Sequence, residues 1–342
     1  MAGVLNFTST PPISTPIWRH HKTKTISSKR VSVIRSSTEV SDTASTSSAS
    51  AKSGPSAITA PPNFKSPEPK RFGVRPDKVA DVITACLNLL FRFGTGVFVS
   101  GYSVSLVPKN EYPPGQYGLE AAGYAMLAGF IVKESSKLGP RPEKPIEIYE
   151  FEGCPFCRKV REIVAVLDLD VLFYPCPRNG PTFRPKVGQM GGKQMFPYMV
   201  DPNTGVAMYE SDDIIKYLVQ KYGDGNVPLS LSLGLLTTLT AGLAMIGRAG
   251  KGSIYTKAKM PPQPLEVWAY EASPFSKLVR EVLVELELPH ILHSCARGSP
   301  KRQELFATVG HFQAPYLEDP NTGVKMFESA EIMEYLRATY AL

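Results

Sequence analysis

The sequence predicts an α/β protein in which one module is used twice, and three observations predict it. Ile146–Cys176 matches Leu265–Cys295 at ten of 31 positions. Pro197–Leu218 matches Pro315–Leu336 at 14 of 22. The offsets are 119 and 118, so the matches keep one order around a single deletion, which chance does not produce. Each copy also carries Asp-Pro-Asn-Thr-Gly-Val between two short apolar runs, the composition of a hairpin turn.

Within the first copy, Glu147–Phe151 reads as a short strand. Pro155 opens a helix to about Leu167, with Val160, Ile163, Val164 and Leu167 on its apolar face. Val171–Tyr174 is a second strand, and the strand–helix–strand order implies a parallel pair. Tyr198–Val200 and Val206–Met208 flank the turn Asp201–Gly205. Ser211 is expected to cap a helix to about Tyr222, with Asp212 and Asp213 suited to the positive end of its dipole. The order is that of a minimal thioredoxin fold, so the fold class is α/β, with two tandem thioredoxin-like β-α-β-β-β-α modules. The modules span 145–224 and 264–342.

The flanking segments read differently. Residues 1–38 hold Arg19, Lys22, Lys24, Lys29, Arg30 and Arg35, no acid, and many Ser and Thr. That is the composition of a plastid transit peptide, with processing near Arg35–Ser37 and a chloroplast location. Without them 32 basic residues face 31 acidic ones, which gives no electrostatic case for nucleic acid. Residues 39–78 read as a disordered linker. Residues 79–140 form an apolar helical region, expected to pack on the following module. Membrane contact through residues 80–133 is the alternative, opposed by Arg92 in the middle of the first run. Gly225–Gly247 has no charge. A linker helix buried between the modules is expected within 225–260, with Leu235, Leu239, Gly242 and Ile246 on one face.

The five cysteines are not a secreted disulfide framework, and no zinc spacing is present. Cys154 and Cys157 alone form a close pair, in Cys154-Pro155-Phe156-Cys157, directly after a strand and at the start of a helix. A helix N-terminus stabilises the thiolate, which is the nucleophile. Cys154 would lie exposed at the tip, and Cys157, one turn in, would resolve a mixed disulfide. A structural pair and a metal or cluster ligand remain open beside redox chemistry. Cys176, Cys295 and Cys86 read as buried small hydrophobes, and His290, His293 and His311 as surface or core residues.

The run Cys154–Glu162, with Phe196-Pro197-Tyr198 and Glu210-Ser211-Asp212, resembles glutaredoxins and the N-terminal domain of glutathione transferases. The whole chain resembles plant plastid thioredoxin-family proteins with tandem glutathione-transferase N-terminal domains. The first module is also similar to the glutaredoxin-like domain of membrane-associated prostaglandin E synthase. The resemblance implies that Cys154 is the attacking thiol. It implies that Pro197 follows a cis bond, that Phe196 pairs with the cysteinyl part of glutathione, and that Glu210 and Ser211 bind its γ-glutamyl group.

The second copy has Ser273 and Ser276 in place of the cysteines, so disulfide exchange is chemically impossible there. Its Ser273-Pro274-Phe275-Ser276 resembles serine-type plant glutathione transferases, which implies a second glutathione site at Ser273, Ala314, Pro315, Glu328 and Ser329. A degenerate structural copy is the default. No stretch reads as the all-helical domain that completes a transferase. The expected function is a glutathione-dependent thiol–disulfide oxidoreductase acting on disulfides or glutathionylated proteins, with glutathione as cosubstrate. Still open are glutathione binding without turnover, a glutathione-ligated iron–sulfur cluster, and a tandem scaffold at a plastid membrane.

Overall fold

The computed structural model describes residues 58–70, 73–120, 128–248 and 250–342. The transit segment, its cleavage site and the start of the linker lie outside the described residues. Helices α1 (Val79–Ala85) and α2 (Leu87–Arg92) precede a three-stranded antiparallel sheet of β1 (Ser103–Pro108), β2 (Leu119–Glu120) and the central β3 (Phe130–Ser135). The expectation of a helical region over 79–140 therefore holds only to Arg92. Ser103-Val104-Ser105-Leu106-Val107 alternates with period two and is rich in β-branched residues, which favours a strand.

The first module is β4 (Ile146–Glu150), α3 (Pro155–Val166), β5 (Asp170–Pro175), α4 (Phe183–Gly191), β6 (Tyr198–Asp201), β7 (Val206–Met208) and α5 (Ser211–Tyr222). Short helices α6 (Leu229–Ser232) and α7 (Leu235–Leu243) follow. The second module repeats the first as β8 (Leu265–Ala269), α8 (Pro274–Glu285), β9 (His290–Ser294), α9 (Lys301–Val309), β10 (Tyr316–Asp319), β11 (Val324–Met326) and α10 (Ser329–Tyr340). The thioredoxin-like class holds, with one element added to each copy. A helix, α4 or α9, stands between the second and third of the four expected strands. Pro185 and Gly188 are poor helix formers, and they hid α4.

The two modules share one eight-stranded sheet, ordered β11-β10-β8-β9-β5-β4-β6-β7. Its centre is an antiparallel seam in which Asp170, Val171, Leu172 and Phe173 face His293, Leu292, Ile291 and His290. Pairing the second strand of each copy makes the modules related by a local twofold, and one apolar core runs through both.

The twofold extends into the segments ahead of each module. Thr84-Ala85-x-Leu87 followed by Arg92-x-Gly94-x-Gly96 recurs as Thr240-Ala241-x-Leu243 and Arg248-x-Gly250-x-Gly252, at an offset of 156. Hydrogen bonds repeat with the residues. Arg297 N–H donates to the Val97 carbonyl and Val99 N–H to the Arg297 carbonyl, while Arg178 and Ser253, then Tyr255 and Arg178, make the equivalent bonds. The offset is 156 between the arms and 119 between the modules. The 37 extra residues lie in the first repeat alone, and β1, β2 and β3 are that insertion.

Between the modules, α7 packs through Thr237 and Ala241, both fully buried. Leu235, expected on the buried face, is 84% exposed, and Leu239 and Ile246 face solvent with it. This corrects the buried linker helix. The contact with α3 and α2 is close, and it selects the small face of α7 over the leucine face. Among the described residues no helix is long and apolar enough to cross a membrane.

The described part of the linker, residues 58–70 and 73–78, is also not a free chain. Ile58, Ala60 and Phe64 pack on the core. Ser66 Oγ donates to the Lys325 carbonyl, and Arg75 pairs with Glu334 at 2.7 Å. Single apolar residues spaced by prolines dock this strap one at a time, with no periodicity to betray it.

Candidate functional site

In the first module, β4 delivers the chain to Cys154, which takes the N-cap position of α3 with an extended backbone. Pro155 occupies the first turn, where its missing N–H costs nothing. The Cys157 N–H donates to Cys154 Sγ at 3.3 Å, and Cys154 Sγ lies 3.9 Å from the Phe196 carbonyl. Phe196–Pro197 is a cis peptide, as is Ala314–Pro315 in the second module. Cys154, Cys157, Phe196 and Pro197 thus meet at one point.

Cys154 is 5% exposed, which corrects the expectation of an open tip. The arm ahead of the second module closes over it. A Cβ on Gly153 would meet Ser253 Oγ at 2.0 Å and the Ser253 Cβ at 3.3 Å, so a side chain here requires the Ser253 hydroxyl to turn away. The hydrogen bond with the Cys157 side chain, helped by the N–H groups of Cys157 and Phe156, holds the Cys154 thiol below its ordinary range, against burial and the nearby Glu150 carboxylate. Burial drives the Cys157 thiol far upward, and its bond to Cys154 adds to this. One thiol shifted down and one shifted up, one turn apart, are in the order that disulfide exchange uses. Phe151 and Phe196 meet edge to face beside the site, with the Arg184 guanidinium over both rings.

Glu210 and Ser211 stand at the start of α5. Glu210 takes the N-cap position at φ 63°, and no side chain caps the helix, so Ser211 is its first residue and not its cap. Among the described residues the exposed Glu210 carboxylate has no hydrogen-bond partner. Asp212, in the first turn of α5, reaches back to the buried Lys159 of α3 and ties the two helix starts together.

The second module brings Ser273, Ala314, Pro315, Glu328 and Ser329 to the wall of one cavity of about 630 Å³. Ser273 Oγ accepts from the Ser276 N–H at 3.2 Å, the geometry of Cys154 in oxygen. Glu328, unlike Glu210, is occupied. It accepts from the Lys70 N–H at 2.6 Å and from Gln313 Nε2 at 2.9 Å.

Sequence reasoning missed the buried charges behind both sites. Glu152, two residues before Cys154, binds Lys277 and Arg280 of the other module at 2.8 and 3.2 Å. Its counterpart Glu271 binds Arg158 and Arg161 of the first at 3.2 and 3.0 Å. Each module supplies counter-charges to the other, from α3 and α8. Among the described residues no group of three or more His, Cys, Asp or Glu is placed to hold a metal.

Residues 148–226 and 268–342 both match the family described as glutathione S-transferase, N-terminal domain. The match occurs twice, once over each module. Among solved structures it is similar to a glutathione transferase of Bombyx mori, BmGSTD1, at 33% identity over 25% of this chain and 38% of that one, with a TM-score of 0.23. The same enzyme in complex with GTT matches at 33% identity, 25% and 39% coverage and a TM-score of 0.23. The chain thus spans under two fifths of the length of these enzymes. No curated protein matches.

Proposed function

We propose that the first module is a glutathione-dependent thiol–disulfide oxidoreductase that acts through Cys154 in a plastid. The observation that carries this reading is the placement of Cys154 Sγ, at the N-cap of α3 with the Cys157 backbone N–H at 3.3 Å and the Phe196 carbonyl, just before cis Pro197, at 3.9 Å. The Cys154 thiolate attacks the glutathione sulfur of a mixed disulfide. A bond forms between Cys154 and glutathione, and the substrate leaves as a thiolate that takes a proton from water. A second glutathione thiolate then attacks the adduct, releasing oxidised glutathione and returning Cys154 to the thiolate. Cys157 can take this second role by forming a disulfide with Cys154, which glutathione then reduces. Phe196 supplies backbone groups for the cysteinyl part of glutathione, and the free Glu210 carboxylate with Ser211 meets its γ-glutamyl end.

The test is mass spectrometry of the chain after incubation with oxidised glutathione. A glutathionyl adduct confined to Cys154 is expected. Absence of the adduct, or modification of Cys86 alone, would sink the reading. The plastid location rests on the acid-free residues 1–38, and a fluorescent protein fused behind them checks it.

A second reading, attachment to a membrane surface, is favoured by one observation. Ile83, Leu90 and Phe93 of the α1–α2 arm and Leu229, Leu235 and Ile246 of the α6–α7 arm are all more than 60% exposed. Flotation of the protein with anionic vesicles tests it, and protein left at the bottom of the gradient ends it.

A further inference from the structure

The local twofold is broken at one place, and the break lies over the second module. The 37-residue insertion has no counterpart in the second repeat. It brings Tyr112, Tyr117, Leu119 and Ile131 to the cavity that Ser273 lines. The module's own lining is Phe275, Phe306 and Phe312, and Tyr117 meets the rings of Phe306 and Phe312 with centres 6.3 and 5.1 Å apart. Here the copy without the Cys-x-x-Cys pair carries a ligand-sized, ring-lined chamber, and about 630 Å³ falls within the range of small-molecule sites. A purely structural copy has no need of a roof that keeps the space beneath it empty.

The polar groups of the chamber narrow what it takes. Arg302 is nearly buried in the wall, with its guanidinium 4.7 Å from the Phe312 ring centre and 5.9 Å from that of Tyr117. Its Nε donates to the Cys295 and Ala296 carbonyls, and its Nη1 donates to Tyr117 Oη at 3.0 Å. Nη2 has no partner among the described residues. The one carboxylate near it, Glu134, lies 3.4 Å from Nη1 and is shared with Arg297, which it meets at 2.6 Å. Lys70 also lines the chamber and has no acidic partner among the described residues. Glu328, the acid in the wall, is held by the Lys70 N–H and Gln313. The strap therefore stands where the γ-glutamyl end of a glutathione would go, while the ring-lined part stays open.

We infer that the chamber between the inserted sheet and Ser273 binds a flat aromatic carboxylate, with its rings against the apolar lining of Leu119, Ile131 and Phe275 and its charge toward Arg302. This is independent of the chemistry at Cys154. Rings of this kind give the wall large apolar faces at little entropic cost, and an arginine on aromatic faces is a desolvated cation suited to a carboxylate.

The test is isothermal titration of the full chain with naphthalene-2-carboxylate, and with naphthalene-2-methanol as the neutral analogue. One saturable site per chain is expected, with the acid binding about tenfold tighter than the alcohol, one factor of ten in the constant. Leu119→Trp and Phe306→Trp fill the chamber from the insertion and from the module, and each is expected to weaken binding by about tenfold or more. Leu235→Ser, on the exposed leucine face, and Cys154→Ser should leave it unchanged, and glutathione should not compete. No saturable binding, binding untouched by both filling variants, or displacement by glutathione would overturn the assignment. A loss with Leu235→Ser alone would place the probe on the outer surface and overturn it equally.

Discussion

Arg92 closes on Glu162 through two hydrogen bonds, Nε to Oε1 at 3.0 Å and Nη2 to Oε2 at 2.7 Å, with both side chains buried. Its remaining nitrogen reaches Thr240 Oγ1 at 2.6 Å, on the arm of the other repeat. Arg248 does the same in mirror fashion, binding Glu281 at 2.8 and 2.7 Å and Thr84 Oγ1 at 2.8 Å. The two arms are thus latched to each other through the arginines that hold the modules. Removing Arg92 leaves the buried Glu162 with one cation, Arg158 at 3.0 Å, where it had two. Arg92→Leu is expected to lower unfolding free energy by roughly 3 kcal/mol, and Glu162→Leu, which takes a partner from two buried guanidinium groups, by more. Urea unfolding of the two variants measures the difference. Equal losses would mean that the pair contributes by packing alone.

The two active-module thiols are shifted in opposite directions, so they separate by reactivity. Thiolate is the alkylating form, and its fraction rises with pH through the thiol's own midpoint. With Cys154 below the ordinary value and Cys157 far above it, iodoacetamide at neutral pH should label Cys154 and spare Cys157. Cys157→Ser should slow that labelling, since it changes the largest group holding Cys154 down. In the exchange reaction Cys154→Ser should abolish turnover, and Cys157→Ser should leave the glutathione-resolved route running. Peptide mapping after timed alkylation reads the first result, and a mixed-disulfide reduction assay the second.

His290 gives the seam between the modules a pH dependence. It stacks on Phe173 across the β5–β9 pair, and burial lowers its pKa from 6.5 to about 4. Between those values the unfolded chain binds the proton and the folded chain refuses it. The folded state therefore loses stability as pH falls from 6.5 toward 4, and keeps it in full above 6.5. The whole contribution is at most about 3 kcal/mol at this shift. His290→Phe should flatten that part of the curve of melting temperature against pH. A wild-type slope that survives the substitution would assign the titration to another group.

Much of this architecture was legible in the chain, because the modules obey local rules. Pro155 after a strand, the apolar face Val160–Leu167 and the turn Asp201–Gly205 each specify their element without help from elsewhere. The cis bond before Pro197 followed from resemblance, not from propensity. What stayed hidden depends on contacts far apart in sequence. Glu152 and Glu271 read as ordinary charges until the other module supplies Lys277, Arg280, Arg158 and Arg161. The leucines of α7 read as a buried face, because periodicity says which residues share a side and not which side packs. The Ser273 chamber could not be foreseen, since Tyr112, Tyr117, Leu119 and Ile131 line it from one part of the chain and Tyr270 to Ser329 supply residues from another. The match between Arg92-x-Gly94-x-Gly96 and Arg248-x-Gly250-x-Gly252 was readable, at an offset of 156 where the modules repeat at 119.

That match makes its own prediction, because its glycines are required by geometry. Gly252 has φ +71°, and a Cβ there would lie 2.6 Å from the Glu152 Cβ and 3.0 Å from the Glu281 Cα. Gly96, its counterpart at φ +84°, has its nearest neighbour, the Glu271 Cβ, at 3.2 Å. Alanine costs left-handed strain at both positions, but at Gly252 it also forces backbone apart. Gly252→Ala is expected to destabilise by about 2–4 kcal/mol and Gly96→Ala by less. The two should differ in chemistry as well. The Gly252 carbonyl accepts the Glu152 N–H at 3.2 Å, two residues before Cys154, so moving this strand moves the thiol that α3 holds. Gly252→Ala should therefore slow alkylation of Cys154 at neutral pH, and Gly96→Ala, which acts on the serine copy, should not. Unfolding curves and timed alkylation of the two variants, measured side by side, decide whether the arm positions the reactive sulfur or only covers it.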